Sequence, residues 1–168
     1  NFKKLLNKNR KLICGISWKS SNAKFGHDKS ISLDLLLPLL NIGLFEFVDL
    51  QYGDTSIEKE NLQYNYQIDI HSLENLDKFN QIDSLASLID ACDLIVTTSN
   101  VTAHISGALG KKTFLLLPYN AKSSIWYWMH NKVRSLWYPT VKIYRADKMA
   151  TWSDIINKLT NDLKRNYE

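Results

Sequence analysis

The sequence has 168 residues, the length of one ordinary domain, and its 45% hydrophobic and 23% charged residues are typical of a globular protein with a sizeable core. The net charge of +4 and the pI of about 9.0 favour a solvated basic surface over nucleic-acid binding, because no helix is strongly basic and no nucleic-acid-binding motif is present. The apolar stretches are too short for a predicted membrane span, and the basic opening segment lacks the apolar core of a signal peptide.

The cysteine and histidine content argues against two further classes of protein. Cys14 and Cys92 lie inside apolar segments and are expected to be buried free thiols rather than a disulfide framework. The four histidines are scattered along the chain, so we expect no metal site.

Because the chain begins with Asn1 and not with methionine, we expect a fragment of a longer cytoplasmic protein, folded as a single domain over residues 1–168.

Short apolar runs alternate with amphipathic segments along the chain. The first half predicts a strand at 12–17, a helix at 32–41, a strand at 45–50, a short helix at 56–62 and a weaker strand at 66–70. The second half predicts a helix at 84–91, a strand at 93–97, a helix at 101–109 closed by Gly110, and strands at 113–117 and 141–144. The C-terminal helix has Thr151 and Asp154 at capping-box spacing, followed by apolar residues at helical spacing: Trp152, Ile155, Ile156, Leu159 and Leu163.

This alternation predicts a three-layer, Rossmann-like α/β domain with a mainly parallel sheet and the C-terminal helix packed against it. Continuously apolar strands, such as the one that contains Leu94-Ile-Val96, fit burial on both faces of such a sheet. Ligands of these folds bind beyond the carboxyl ends of the strands. The candidate binding segments therefore follow Ser17, Leu50, Thr97 and Leu117.

The segment from Asp93 to Pro118 carries the clearest signal for a binding site. A strand leads into a loop of small hydroxyl and amide residues, which leads directly into a helix. Backbone N–H groups and the positive end of that helix would hold a diphosphate, and a histidine in the first turn could donate to a phosphate oxygen. The candidate phosphate-binding residues are Thr98, Ser99, Asn100, Val101, Thr102 and His104. The alternative of ordinary helix caps and a structural histidine stays open.

Two lysines flank the segment that follows the first strand. Lys19 falls at the carboxyl end of that strand, and Lys29 ends the basic cluster that Lys19 begins. A lysine at this edge of the sheet can neutralise phosphate charge, so we expect Lys19 to face the same crevice. The alternative is a solvated surface lysine.

Aromatic residues are dense in Ser124-Ile-Trp-Tyr-Trp-Met129 and in Leu136-Trp-Tyr-Pro139. Such residues could stack on a base or line a sugar pocket, and they could equally pack a loop onto the sheet. Both interpretations are open for Trp126, whereas packing is favoured for Trp137.

Together these segments resemble a known family. Asn100-Val-Thr-Ala-His-Ile-Ser-Gly-Ala-Leu-Gly110 is similar to the nucleotide-diphosphate loop of bacterial glycosyltransferases related to the lipopolysaccharide heptosyltransferases. The likeness is strongest to the glycosyltransferase-like C-terminal domains that follow tetratricopeptide repeats in many bacterial proteins. Further motifs occur in that family's order and spacing, namely Gly15-Ile-Ser-Trp-Lys19, Lys29-Ser-Ile31, Leu50-Gln-Tyr-Gly53 and Trp137-Tyr-Pro139. The resemblance extends roughly from Lys11 to Leu163 and adds Ser17, Trp18, Gln51 and Trp126 to the candidate substrate-binding residues.

The resemblance implies the C-terminal half of a GT-B glycosyltransferase, in which two Rossmann-like domains enclose the active site. In such enzymes the C-terminal domain holds the nucleotide-sugar donor, and the N-terminal domain holds the acceptor and usually the catalytic base. The implied partners are a nucleotide diphosphate sugar, a missing acceptor domain and tetratricopeptide repeats in the same protein. The isolated domain is expected not to transfer sugar, and no metal is required if Lys19 and the helix N-terminus stabilise the leaving diphosphate.

The sequence departs from the family pattern at two places. Ser99-Asn100 stands where many relatives have Asp-Thr, and Trp126-Tyr-Trp128 stands where relatives often have Trp-Arg-Trp. The first change keeps polar donors, whereas the second removes a cation that could contact the donor. These changes motivate the alternative of a non-catalytic, degenerate glycosyltransferase-like binding module. A nucleotide-sugar epimerase of the same fold is a third possibility.

Overall fold

Five short strands form the centre of the domain. The computed structural model describes residues 11–24, 26–73, 76–119, 126–129, 132–146 and 151–167. The strands are β1 (Leu12–Ser17), β2 (Phe45–Asp49), β3 (Leu94–Thr98), β4 (Thr113–Leu117) and β5 (Val141–Arg145). They are ordered β2-β1-β3-β4-β5, and every neighbouring pair is parallel, which confirms the predicted parallel sheet.

Helices cover both faces of the sheet. They are α1 (Gly26–Lys29), α2 (Leu37–Leu40), α3 (Ser56–Tyr66), α4 (Ile82–Ala91), α5 (Val101–Ala108) and α6 (Trp152–Tyr167), with 3-10 turns at Leu33–Leu36 and Trp126–Trp128. Successive strand residues point to opposite faces, so Cys14 packs in a cluster with α2 and α6, whereas Ile13 packs in a cluster with α4. The result is the predicted Rossmann-like α/β domain.

The local structures with the clearest sequence signals form as predicted. Asp154 accepts a hydrogen bond from the Thr151 backbone N–H at 2.7 Å, and the Thr151 hydroxyl accepts the return bond from the Asp154 N–H at 3.4 Å. Gly110 closes α5 with a φ of +67°, which a residue with a side chain rarely adopts. Cys14 and Cys92 are buried free thiols, and burial raises the pKa of Cys92 to about 12.

Two predicted elements differ from the structure. The predicted strand at 66–70 is wrong, because α3 runs on to Tyr66 and Gln67 then adopts a left-handed conformation with a φ of 56°. Only the following residue, His71, pairs with the sheet, through a single bridge to Val48 at the edge of β2. The predicted helix at 32–41 begins as a 3-10 turn and becomes α-helical at Leu37, next to Pro38, which lacks the N–H that a helix interior needs.

The helices of the described segments do not include one that is both long and apolar enough to cross a membrane. The same segments contain no group of three or more His, Cys, Asp and Glu side chains arranged to hold a metal ion.

Gly107 allows α5 to lie against Tyr138. A Cβ atom at this position would stand 2.5 Å from Cγ of the Tyr138 ring, closer than atoms can approach. We expect Gly107→Ala to lower the free energy of unfolding by about 1–3 kcal/mol, the usual cost of overpacking a well-packed site. Urea denaturation measures this change. Unchanged or raised stability, as alanine gives at an open helix position, would contradict the contact.

Candidate functional site

A pocket of about 420 Å³ lies at the carboxyl edge of the sheet, where parallel α/β folds bind their ligands. Its volume falls in the usual range for small-molecule sites. The segments that follow β1, β2 and β3 contribute to its wall, together with the turn before α4. The lining residues are Ser20, Ser21, Asn22, Lys29, Tyr52, Lys78, Phe79, Ile82, Ser99, Asn100, Val101, His104 and Tyr127.

The N-terminus of α5 forms one part of this pocket. Asn100 is the N-cap of the helix, and its Oδ1 accepts a hydrogen bond from the Thr102 backbone N–H at 3.0 Å. Asn100 and Val101 line the pocket, so the positive end of the helix dipole reaches it. Thr98 and Thr102 are fully buried and lie outside the lining, although the sequence placed both among the candidate ligands.

Lys29 brings a positive charge to the same pocket. It lies on α1, lines the pocket and is only 6% exposed. Within the described segments, its ammonium has no hydrogen-bond or ion-pair partner, and burial lowers its pKa. An isolated buried charge is costly unless a counter-charge is present. The position of Lys29 therefore favours an anionic ligand.

Lys78 is a second lysine in the pocket wall, but its charge is already paired. Its Nζ lies 3.0 Å from the carboxylate of the buried Asp49 and donates to the Gln51 carbonyl at 3.0 Å. The described residues that line the pocket include no aspartate or glutamate. The described part of the wall therefore includes two lysines and neither an aspartate nor a glutamate.

His104 lies in the first turn of α5 and faces the pocket. Its ring stacks on Trp128 with centroids 5.0 Å apart, and its Nδ1 is 3.2 Å from the Tyr138 hydroxyl. Burial lowers the pKa of His104, which favours the neutral ring at pH 7. A neutral imidazole held in this way can still donate one hydrogen bond to a ligand oxygen.

Besides Thr98 and Thr102, five further predicted site residues lie outside the lining. The Lys19 ammonium forms an ion pair with Glu58, and Trp18 donates its ring N–H to the same carboxylate at 2.8 Å. Gln51 is buried, and its Oε1 accepts hydrogen bonds from the Ser17 hydroxyl, the Trp18 N–H and the Lys19 N–H. The contacts of these four residues join the end of β1 to the segment after β2 and to α3.

Trp126 is the fifth of these residues. Its side chain is 75% exposed, and its ring lies edge-on to Trp137, with the centroids 6.4 Å apart. The ring therefore lies on the surface and does not line the pocket wall.

The two departures from the family pattern meet in the structure. Tyr127, at one of the changed positions, lines the pocket and forms a side-chain hydrogen bond with Ser99, at the other. Burial raises the pKa of Tyr127, and the bond to Ser99 opposes this rise. Ser99 also accepts a hydrogen bond from the Trp128 ring N–H at 2.9 Å. A neutral, hydrogen-bonded pair therefore occupies these two positions.

Sequence reasoning missed the apolar side of the pocket. Tyr52 and Phe79 contact each other edge-to-face with ring centroids 6.0 Å apart, and Ile82 lies nearby in the lining. Phe79 is 64% exposed and Ile82 is 45% exposed, so together with Tyr52 they give the pocket wall an accessible apolar surface. One sequence feature could have indicated this surface, namely the aromatic residue Phe79 in the turn before α4. In the fold this turn lies next to Tyr52, in the segment after β2.

The fold and pocket define a Rossmann-like α/β domain with a cationic pocket at the carboxyl edge of its sheet. The chain is 27% identical over 151 residues to Protein FlbA of Caulobacter vibrioides, and the match covers 89% of this chain. It covers 24% of the other protein, so the chain spans about a quarter of the length of that relative. No protein-family model and no solved structure matches the chain.

Proposed function

We propose that this domain binds the diphosphate of a nucleotide sugar, as the donor-binding half of a heptosyltransferase-like GT-B glycosyltransferase within a longer cytoplasmic protein. One observation carries the proposal: Lys29 is buried, has no partner among the residues that the structure describes, and lies in a pocket that also receives the N-terminus of α5. A lysine and a helix N-terminus are the two groups that proteins commonly use to hold phosphate. The resemblance of residues 100–110 to a nucleotide-diphosphate loop supports the same ligand.

The apolar side of the pocket accounts for the rest of the ligand. Tyr52, Phe79 and Ile82 offer a partly exposed aromatic and aliphatic surface. A nucleobase has a flat apolar face that can pack on such a surface, whereas inorganic phosphate has none. A ligand with an anionic end and an aromatic end, such as a nucleoside diphosphate, matches both sides. The proposal requires no metal ion, because Lys29 and the helix supply positive charge.

The absence of aspartate and glutamate from the described lining bears on catalysis. Glycosyl transfer needs a base that accepts the proton of the acceptor hydroxyl, and a carboxylate is the usual group. In the proposed enzyme this base comes from a second domain. The same observation favours a second candidate function, which is a binding module that holds a nucleotide without transferring sugar. Sugar transfer by the full-length protein would decide between the two.

A thermal-shift screen tests the proposed ligand. The chain is heated with UDP, GDP, ADP or CMP, and with the corresponding nucleosides, in the presence of EDTA. We expect one diphosphate to raise the melting temperature by about 5–10 °C at one hundred times its Kd, because such binding contributes about 2.7 kcal/mol. Its nucleoside should give a much smaller shift at the same concentration. If no nucleotide shifts the transition, or if nucleoside and diphosphate act equally, the proposal is wrong.

A further inference from the structure

Asn100 connects the two positively charged parts of the pocket. Its Oδ1 caps α5 through the Thr102 N–H, and it also accepts a hydrogen bond from the Thr97 hydroxyl at 3.1 Å. Its Nδ2 reaches the end of β1, where it donates to the Ser17 hydroxyl at 2.7 Å and to the Lys19 carbonyl at 3.0 Å. All four hydrogen bonds use one side chain that is only 8% exposed.

The Lys19 carbonyl marks the start of the segment that carries Lys29. The next residue, Ser20, donates its backbone N–H to the Ser30 hydroxyl at 3.1 Å, so the two ends of the segment are joined beside Lys29. The Ile31 N–H closes the same junction by donating to the Trp18 carbonyl at 2.8 Å. A continuous path of hydrogen bonds and single peptide units therefore leads from the N-cap of α5 to Lys29.

We propose that Asn100 is the positioning residue of this site, which holds the Lys29 segment at a fixed place relative to the N-terminus of α5. The inference rests on the proposed anion-binding function. Only asparagine suits the role among the good N-cap residues, because its oxygen caps the helix while its amide nitrogen donates to β1. Aspartate has no donor in its ionised form, and serine is too short to reach the Lys19 carbonyl while it caps the helix.

The first test needs no ligand. Asn100→Ser keeps a good helix cap but removes both Nδ2 hydrogen bonds. We expect amide hydrogen exchange at Ser20 and Ile31 to become about tenfold faster or more, since a lost hydrogen bond of about 1.4 kcal/mol corresponds to a factor of ten. Thr102→Val is the matched control, because the buried Thr102 hydroxyl has no hydrogen-bond partner among the described residues, and exchange should stay unchanged. Equal exchange in wild type and Asn100→Ser would overturn the inference.

The second test separates positioning from direct ligand contact. Titration calorimetry with inorganic pyrophosphate and with UDP compares wild type, Asn100→Ser, Lys29→Met and the double variant. If Asn100 acts through Lys29, Asn100→Ser should weaken binding about tenfold when Lys29 is present. In the Lys29→Met background the same substitution should weaken binding less than about twofold. Equal losses in both backgrounds would overturn the positioning role.

The two tests also distinguish this inference from the proposed function. A wild-type chain that binds neither pyrophosphate nor any nucleotide would contradict the proposed function. In that case hydrogen exchange still decides whether Asn100 holds the Lys29 segment.

Discussion

Lys29→Met is expected to weaken binding of the nucleoside diphosphate selected by the thermal-shift screen by about 10- to 100-fold. Charge-assisted hydrogen bonds contribute about 1.5–3 kcal/mol, and 1.4 kcal/mol is a factor of ten in affinity. Binding of the nucleoside should change less than about twofold, because it carries no phosphate. Titration calorimetry with both ligands measures the two effects separately.

The stability of Lys29→Met should change in the opposite direction to its affinity. Methionine has a similar length and shape, and it removes a buried ammonium that has no partner in the described part of the chain. The unliganded variant should therefore be at least as stable as wild type, as is common when a binding group is removed from its site. Urea denaturation without ligand measures this stability. A variant that is as stable as wild type would show that its weaker binding does not result from unfolding.

Lys19→Met is the matched control. The Lys19 ammonium is partly exposed and paired with Glu58, outside the pocket lining, so its removal should change diphosphate affinity less than about twofold. If Lys19→Met weakens binding while Lys29→Met does not, the role that the sequence suggested for Lys19 would be supported and the proposed site would be wrong. Equal affinities in wild type, Lys29→Met and Lys19→Met would show that neither lysine belongs to the binding site.

The contrast between Lys19 and Lys29 shows which features of the site could not be predicted from the sequence. The strands were predictable because each is a short segment rich in apolar residues, and their parallel pairing followed from the alternation with helices. The orientation of Lys19 was not, because its partner Glu58 lies on α3, 39 residues further along the chain. Gln51 shows the same limit, since its three acceptor contacts form only when β1 and β2 end side by side.

The loop that leads into α5 was easier to predict than the rest of the pocket. An N-cap and the start of a helix are local features, so Asn100 and Val101 could be placed at the helix N-terminus from sequence alone. Phe79 and Lys78 enter the pocket from a turn between elements, where no periodic pattern indicates direction. The predicted strand at 66–70 failed because the left-handed residue Gln67 ends α3 and only His71 reaches the sheet.

Asp49→Asn is expected to lower the free energy of unfolding by about 3–5 kcal/mol, the usual cost of removing one partner from a buried ion pair. Asp49 is 1% exposed at the end of β2, with the Lys59 ammonium at 2.8 Å and the Lys78 ammonium at 3.0 Å. It also accepts hydrogen bonds from the Gln51 N–H and the Thr55 hydroxyl. Asparagine would leave two lysines without a counter-charge, and the Lys78 side chain is only 9% exposed.

The matched control for this variant is Asp90→Asn. Asp90 is largely exposed and pairs with Lys111 at 3.3 Å on the surface, where an ion pair contributes less than about 1 kcal/mol. Urea denaturation at pH 7 should therefore separate the two substitutions clearly. Equal effects would show that the lysines around Asp49 are solvated and that the buried pair contributes little.

The pH dependence of stability gives an independent test of the role of the Asp49 carboxylate. Burial alone would raise the pKa of this carboxyl, but Lys78 and Lys59 outweigh burial and lower it below its usual value. Because the folded pKa lies below the unfolded value of about 3.9, the stabilising contribution is complete above that pH and is lost as the pH falls through the folded pKa. The stability difference between wild type and Asp49→Asn should be constant from pH 7 to about pH 5 and shrink below about pH 4. A difference that persists undiminished at the lowest pH would mean that Asp49 is not held as a carboxylate by its two lysines.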